Sequence, residues 1–160
     1  MTASEEAAGY LETSDIALHY AALMGRTDTV KTLLDRLRHE QQLKLLFTQN
    51  SDGNTALHYA ALQGHTETVK TLLDNLTPEQ QLKFLSVQNK WGKTALHNAA
   101  HNGDTETVKT MLDNLTPEQQ LQLFFTQNKE GNTAFHYAER WGHTETVKTL
   151  LDNLTPEQQL

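Results

Sequence analysis

A period of 39 residues runs through this chain and leaves few folds open to it. His19, His58, His97 and His136 recur at that interval, as do Gly25, Gly64, Gly103 and Gly142. The string from Thr66 to Leu82 returns almost letter for letter from Thr105 and again from Thr144. A fixed period of about 20–50 residues marks an array in which each unit covers the apolar face of its neighbour. Four copies account for most of the 160 residues.

One unit reads as helix, helix, helix, turn. Thr55 is placed to cap a short first helix in which Leu57, Ala60 and Ala61 fall at helical spacing before Gly64 stops the run. The small alanines let neighbouring helices approach closely. Thr66 is then expected to cap a second helix through Val69, Leu72, Leu73 and Leu76, with Glu67 favouring the helix dipole and Lys70 and Asp74 forming a solvated pair one turn apart. Thr77-Pro78-Glu79-Gln80 predicts a third helix, with threonine as cap, proline at the first position and glutamine completing a capping box. That helix continues through Leu82 and Leu85 until Gln88-Asn89-Lys90-Trp91-Gly92 breaks it. Leu45, Leu46, Phe47, Phe84, Leu85, Leu123, Phe124 and Phe125 cluster before the turns and are expected in the core.

The strings Gly53-Asn54-Thr55-Ala56-Leu57-His58-Tyr59-Ala60-Ala61 and Gly64-His65-Thr66-Glu67-Thr68-Val69-Lys70-Thr71-Leu72-Leu73 resemble the ankyrin repeat. The resemblance spans residues 15 to 160 and implies an all-α solenoid of four 39-residue units, at about 15–53, 54–92, 93–131 and a shortened 132–160, with turn tips between units. Alanine replaces the usual proline after the threonine, and the unit exceeds the usual ~33 residues by the Leu-Thr-Pro-Glu-Gln-Gln-Leu segment. HEAT-like and TPR-like solenoids share the period but lack the Thr-x-x-His signature and the glycine turn. Long units of this kind are similar to those of ankyrin proteins that intracellular bacteria deliver into host cells.

The first copy departs from the pattern: Ser14 stands for the turn glycine, Ile16 for the threonine and Arg38-His39 for Thr-Pro. Residues 1–14 are read as an N-terminal capping segment, with a small helix over Ser4–Leu11. The last copy stops inside its third helix, which leaves Leu150, Leu151 and Leu154 without a following unit and points to a longer protein.

Charge and composition exclude several classes of function. A formal charge of −7 opposes nucleic acid or an anionic membrane as partner, because both require a basic stripe. Without cysteine there is neither a disulfide framework nor a thiolate metal site, and no stretch approaches the ~20 apolar residues of a membrane span. The expectation is a soluble, cytoplasmic chain, in the host cytoplasm if it is a secreted bacterial effector. His97 and His101 lie four residues apart on one helix, but the string is not HExxH. A structural role fits His58, His97 and His136 better, each bonding the threonine three residues earlier and the turn backbone; His19, opposite Ile16, must bond elsewhere. The carboxylates repeat on helix faces and do not converge, and no nucleophile elbow or phosphate-binding loop is present. Catalysis, cofactor and metal are therefore not expected.

Positions that vary between copies are free to be shaped to a ligand. At the turn tips these are Asp52, Lys90, Trp91, Lys129 and Glu130, with Lys93 just after a turn glycine. On the first helices they are Tyr20, Tyr59, Asn98 and Tyr137, then Met24, Gln63, His101, Asn102, Arg140 and Trp141. The resemblance implies that they line a concave face, and tryptophan, tyrosine and arginine dominate interface hot spots. The tyrosines are equally suited to packing between first helices. The leading reading is a non-catalytic protein-protein interaction module, part of a larger effector or adaptor. The alternatives are an engineered, consensus-type scaffold without a native partner, or an array with weak head-to-tail self-association through its C-terminal face.

Overall fold

The computed structural model describes residues 3–152 and Leu154, with side chains from Thr13 onward. Eleven helices and no strands occur among them. Each of the first three units places a first, a second and a third helix in order. The first unit has α1 (Ala3–Leu23), α2 (Thr27–Asp35) and α3 (His39–Leu46); the second has α4 (Ala56–Leu62), α5 (Thr66–Leu73) and α6 (Pro78–Leu85). The third has α7 (Ala95–Asn102), α8 (Thr105–Leu112) and α9 (Pro117–Phe124), and the fourth contributes α10 (Ala134–Arg140) and α11 (Thr144–Asp152). The third helix expected in the fourth unit lies outside the described residues.

First helices stack α1 on α4, α4 on α7 and α7 on α10, and second helices stack behind them in the same order. Alanine makes this possible: Ala60, Ala61, Ala99 and Ala100 are completely buried between layers. Behind them Val69, Leu72, Phe84, Leu85, Val108, Met111 and Leu123 form one continuous core.

The Leu-Thr-Pro-Glu-Gln-Gln-Leu insertion carries its own fastening. Thr77 and Gln80 form a reciprocal capping box at the start of α6, and Thr116 and Gln119 do the same for α9. The following glutamine has a separate task. Gln81 Nε2 donates to the carbonyls of Leu73 and Leu76 at 3.0 and 3.4 Å, and Gln120 donates likewise to Leu112 and Leu115. Buried amides thus give the Leu76 and Leu115 carbonyls a donor and add a second one to the Leu73 and Leu112 carbonyls, which already accept from the N–H groups of Leu76 and Leu115.

Four sequence expectations change. No turn interrupts α1 at residue 14: with Ser14 in place of the turn glycine the helix runs through, Ser14 is buried, and the separate Ser4–Leu11 helix is merged into α1. Thr66 does not cap α5. His65 occupies the cap position, and the Thr66 hydroxyl instead meets that of Thr107 in the next unit at 2.8 Å. The same pairing joins Thr27 to Thr68 and Thr105 to Thr146, both at 2.9 Å. Lys70 and Asp74 form no ion pair, as solvation of both exposed groups offsets the attraction. Phe125, expected in the core, is 59% exposed, whereas Phe47, which likewise follows its helix by one residue, packs on Phe84 of the next unit.

Candidate partner-binding face

The first helices and the turns before them make one continuous face, and a network of polar groups fixes it. Thr55 caps α4 while its own N–H donates to His58 Nδ1 at 3.1 Å. With Nδ1 accepting, His58 holds its proton on Nε2 and donates it to the Lys93 carbonyl of the next turn at 2.9 Å. His97 bonds the Asn132 carbonyl in the same way. Burial lowers the His58 imidazole from 6.5 to about 4 and lowers that of His97 as well. Both are therefore neutral structural bridges. His19 bonds differently: Nδ1 lies 2.7 Å from the Asp15 carbonyl and 2.8 Å from its carboxylate, and Nε2 reaches the Asn54 carbonyl at 2.9 Å.

Each turn is wrapped around an asparagine. The Asn50 side-chain oxygen accepts from the N–H groups of Asp52 and Asn54, and Asn89 and Asn128 repeat the arrangement. Gly53 closes its turn with φ +78°, and a Cβ there would sit 2.8 Å from the Lys90 nitrogen of the next tip. Successive tips are joined by Lys90 N–H to the Asp52 carbonyl and Lys129 N–H to the Trp91 carbonyl. Gln49 and Gln88 add side-chain bonds to the carbonyls of Gln88 and Gln127. The tips form a rigid platform.

This network settles what holds the tyrosines. Asn50 Nδ2 donates to the Tyr59 hydroxyl, and Asn128 Nδ2 to that of Tyr137, each at 2.6 Å. Tyr137 is buried and Tyr59 half-buried. In the third unit Asn98 stands where tyrosine would, so Asn89 turns to Asn54 Oδ1 and Asn98 bonds the His58 carbonyl. Asn102 likewise donates to the Leu62 carbonyl.

The remaining variable residues project outward. Tyr20, Met24, Gln63, His101, Lys129, Glu130, Arg140 and Trp141 are exposed, as is Trp91 at a tip. Lys90 bridges the Asp52 carboxylate at 2.6 Å and the Trp91 ring at 4.5 Å. Lys93 lies 5.6 Å over the Tyr137 ring, and His101 meets the rings of Tyr137 and Trp141 at 5.5 and 5.3 Å. Partial desolvation lowers the His101 imidazole, with Lys93 and His143 adding to the effect.

Sequence reasoning missed a second feature of this face. Ile16, 74% exposed, occupies the position at which Thr55 is fully buried: α1 runs through it as helix, whereas Thr55 begins α4 as its cap. Ile16, Tyr20 and Leu23 of α1 face Tyr59 and Asn50 across a groove of about 290 Å³. The substitution of isoleucine for the capping threonine was the available signal.

No group of three or more histidines and carboxylates is arranged to hold a metal among the described residues. No helix there is long and apolar enough to cross a membrane.

No curated protein matches the chain at a significant level. Among solved structures it is similar to a chain in the crystal structure of the yeast ribosomal protein Rps3 in complex with its chaperone Yar1, with 32% identity and a TM-score of 0.70. The match covers 89% of this chain and 95% of that one. The family model for ankyrin repeats, in three copies, matches residues 4–83 and 76–159. Thr-x-x-His caps that bridge to the next turn, glycine-closed tips and stacked alanine-rich first helices are thus the framework of a known repeat, and the chain belongs to the ankyrin-repeat family.

Proposed function

We propose that this array is a non-catalytic module that binds a protein partner along the face made by its turn tips and first helices. The observation that carries the reading is the separation of roles on that face. Positions repeated in every unit are consumed by the hydrogen-bond framework, whereas Trp91, Arg140 and Trp141 vary between units and are exposed. Exposed tryptophan on a rigid platform is costly to solvate and is enriched where proteins bind. The similar yeast complex, of a ribosomal protein with its chaperone, is a case of protein-protein association. Membership of an effector or adaptor from an intracellular bacterium rests on the long unit alone.

Self-association through the last unit is the weaker reading. Ala22, Ala61 and Ala100 are fully buried where the next first helix packs, and the corresponding residue of α10 is Glu139, which is exposed. Stacking another unit there would bury its carboxylate.

Affinity capture from cell lysate tests the reading, with the intact array beside a Trp91→Ala, Arg140→Ala, Trp141→Ala variant and a Lys31→Ala, Lys70→Ala control on the second helices. Binding through this face is supported by a protein retained by the intact array and the control but lost by the triple variant. Equal retention by all three rejects it.

A further inference from the structure

The charge of the chain is unevenly placed. The three turn tips with α4, α7 and α10 carry four cations, Lys90, Lys93, Lys129 and Arg140, against three carboxylates, Asp52, Glu130 and Glu139, whereas the sequence of α1 at the far end of the face has four carboxylates and neither lysine nor arginine. Outside the tips and α4, α7 and α10, the sequence has nine cations against seventeen carboxylates. This part of the face therefore departs from the sign of the chain as a whole. Lys90 is already held by Asp52, while Lys93, Lys129 and Arg140 are in no ion pair among the described residues. These three cations, on a face that also exposes Trp91 and Trp141, complement a ligand with a few negative charges.

At the other end of the face, the groove between α1 and α4 has apolar walls from Ile16, Tyr20, Leu23 and Tyr59, with Asp15, His19 and Asn50 also lining it, and room for one large apolar side chain. Two first-helix steps separate it from the cationic end. At about 8–10 Å per step that is about 16–20 Å, or five to six residues of extended chain.

We infer that this face binds an acidic polypeptide segment, which seats an apolar side chain between Tyr20 and Tyr59 and sets carboxylates against Lys93, Lys129 and Arg140. The inference rests on the protein-binding reading above and names the partner's chemistry. Nucleic acid fits less well. A phosphate backbone needs many cations in a continuous stripe, and the surrounding surface repels it.

Labelled synthetic peptides provide the test, read by fluorescence anisotropy at low and physiological salt. The probe carries one phenylalanine followed, five or six residues later, by three glutamates. Companions replace phenylalanine with serine or the glutamates with lysines, and an oligothymidine strand is run beside them. The acidic peptide is expected to bind, about tenfold or more tighter than its serine companion. A Lys93→Glu, Arg140→Glu variant, verified as folded by circular dichroism, is expected to lose the acidic peptide by about tenfold or more and to gain the lysine peptide.

Failure of the acidic peptide to bind, or equal binding of the lysine peptide or oligothymidine to the unaltered array, overturns the inference. Random peptide display panned on the array and on the tryptophan-arginine triple variant separates the two readings. Enrichment of non-acidic sequences that the triple variant loses retains protein binding and rejects acidic recognition. Enrichment of nothing at all rejects both.

Discussion

The ring of His58 joins two units: its Nδ1 accepts from the Thr55 N–H, and its Nε2 donates to the Lys93 carbonyl 2.9 Å away. A second proton on Nδ1 would oppose the Thr55 N–H and place a charge in the core. The bridge therefore exists only with a neutral imidazole, and acid should open it.

Burial holds folded His58 at about 4 against an ordinary 6.5, so the unfolded chain binds the proton first. Stability from this group is fully present above about pH 6.5 and is lost as pH falls towards 4, by about 3 kcal/mol at most. His97 acts in the same direction, whereas Asp104, raised by burial, acts in the opposite one as carboxylates titrate. Thermal unfolding between pH 7.5 and 4.5 should show a falling Tm, with a shallower slope for His58→Gln. An unchanged slope in that variant would remove His58 from the explanation.

Gln81 is expected to matter far from any ligand. Gln81→Ala removes the side-chain donor of the Leu76 carbonyl and leaves that of Leu73 with the Leu76 N–H alone, at a cost of about 1–3 kcal/mol. Urea denaturation should show the lower midpoint, while peptide affinity at the first-helix face stays unchanged.

Glu139 should guard the exposed side of α10. Glu139→Ala restores the residue found at Ala22, Ala61 and Ala100, shifts stability by no more than about 0.5 kcal/mol and uncovers an apolar strip. Sedimentation velocity across a concentration series should show association in the variant beyond that of the unaltered chain.

Leu85 and Trp91 separate folding from binding within seven residues. Leu85 is fully buried, and Leu85→Asp places a charge in the continuous core, which should abolish the cooperative thermal transition. Trp91→Ala, at a tip whose backbone is held by Asn89, should retain the wild-type circular dichroism spectrum and Tm while weakening partner capture.

Much of the framework was legible before folding was considered. The Thr-x-x-His cap, the Thr-Pro-Glu-Gln box and the glycine stops are local devices whose partners lie within three or four residues, so their chemistry is written in adjacent letters. Thr66 looked like one more such cap, but its bond goes to Thr107, 41 residues on, and no local pattern distinguishes the two uses of a hydroxyl. Gln81 and Gln120 were visible only as part of a repeated string until the second and third helices came together around them.

The candidate face divides along the same line. By repetition alone the sequence determined which positions recur and which vary between copies, but Tyr59, Asn98 and Tyr137, read as free to meet a ligand, are bonded into the framework. Tertiary structure decided the rest: that Tyr59 and Tyr137 are tied to turn asparagines, that Ile16 opens a groove, and that Lys93, Lys129 and Arg140 meet no carboxylate among the described residues. Those facts depend on which unit lies beside which, and a side chain's exposure and charge partners are properties of its neighbours across the stack.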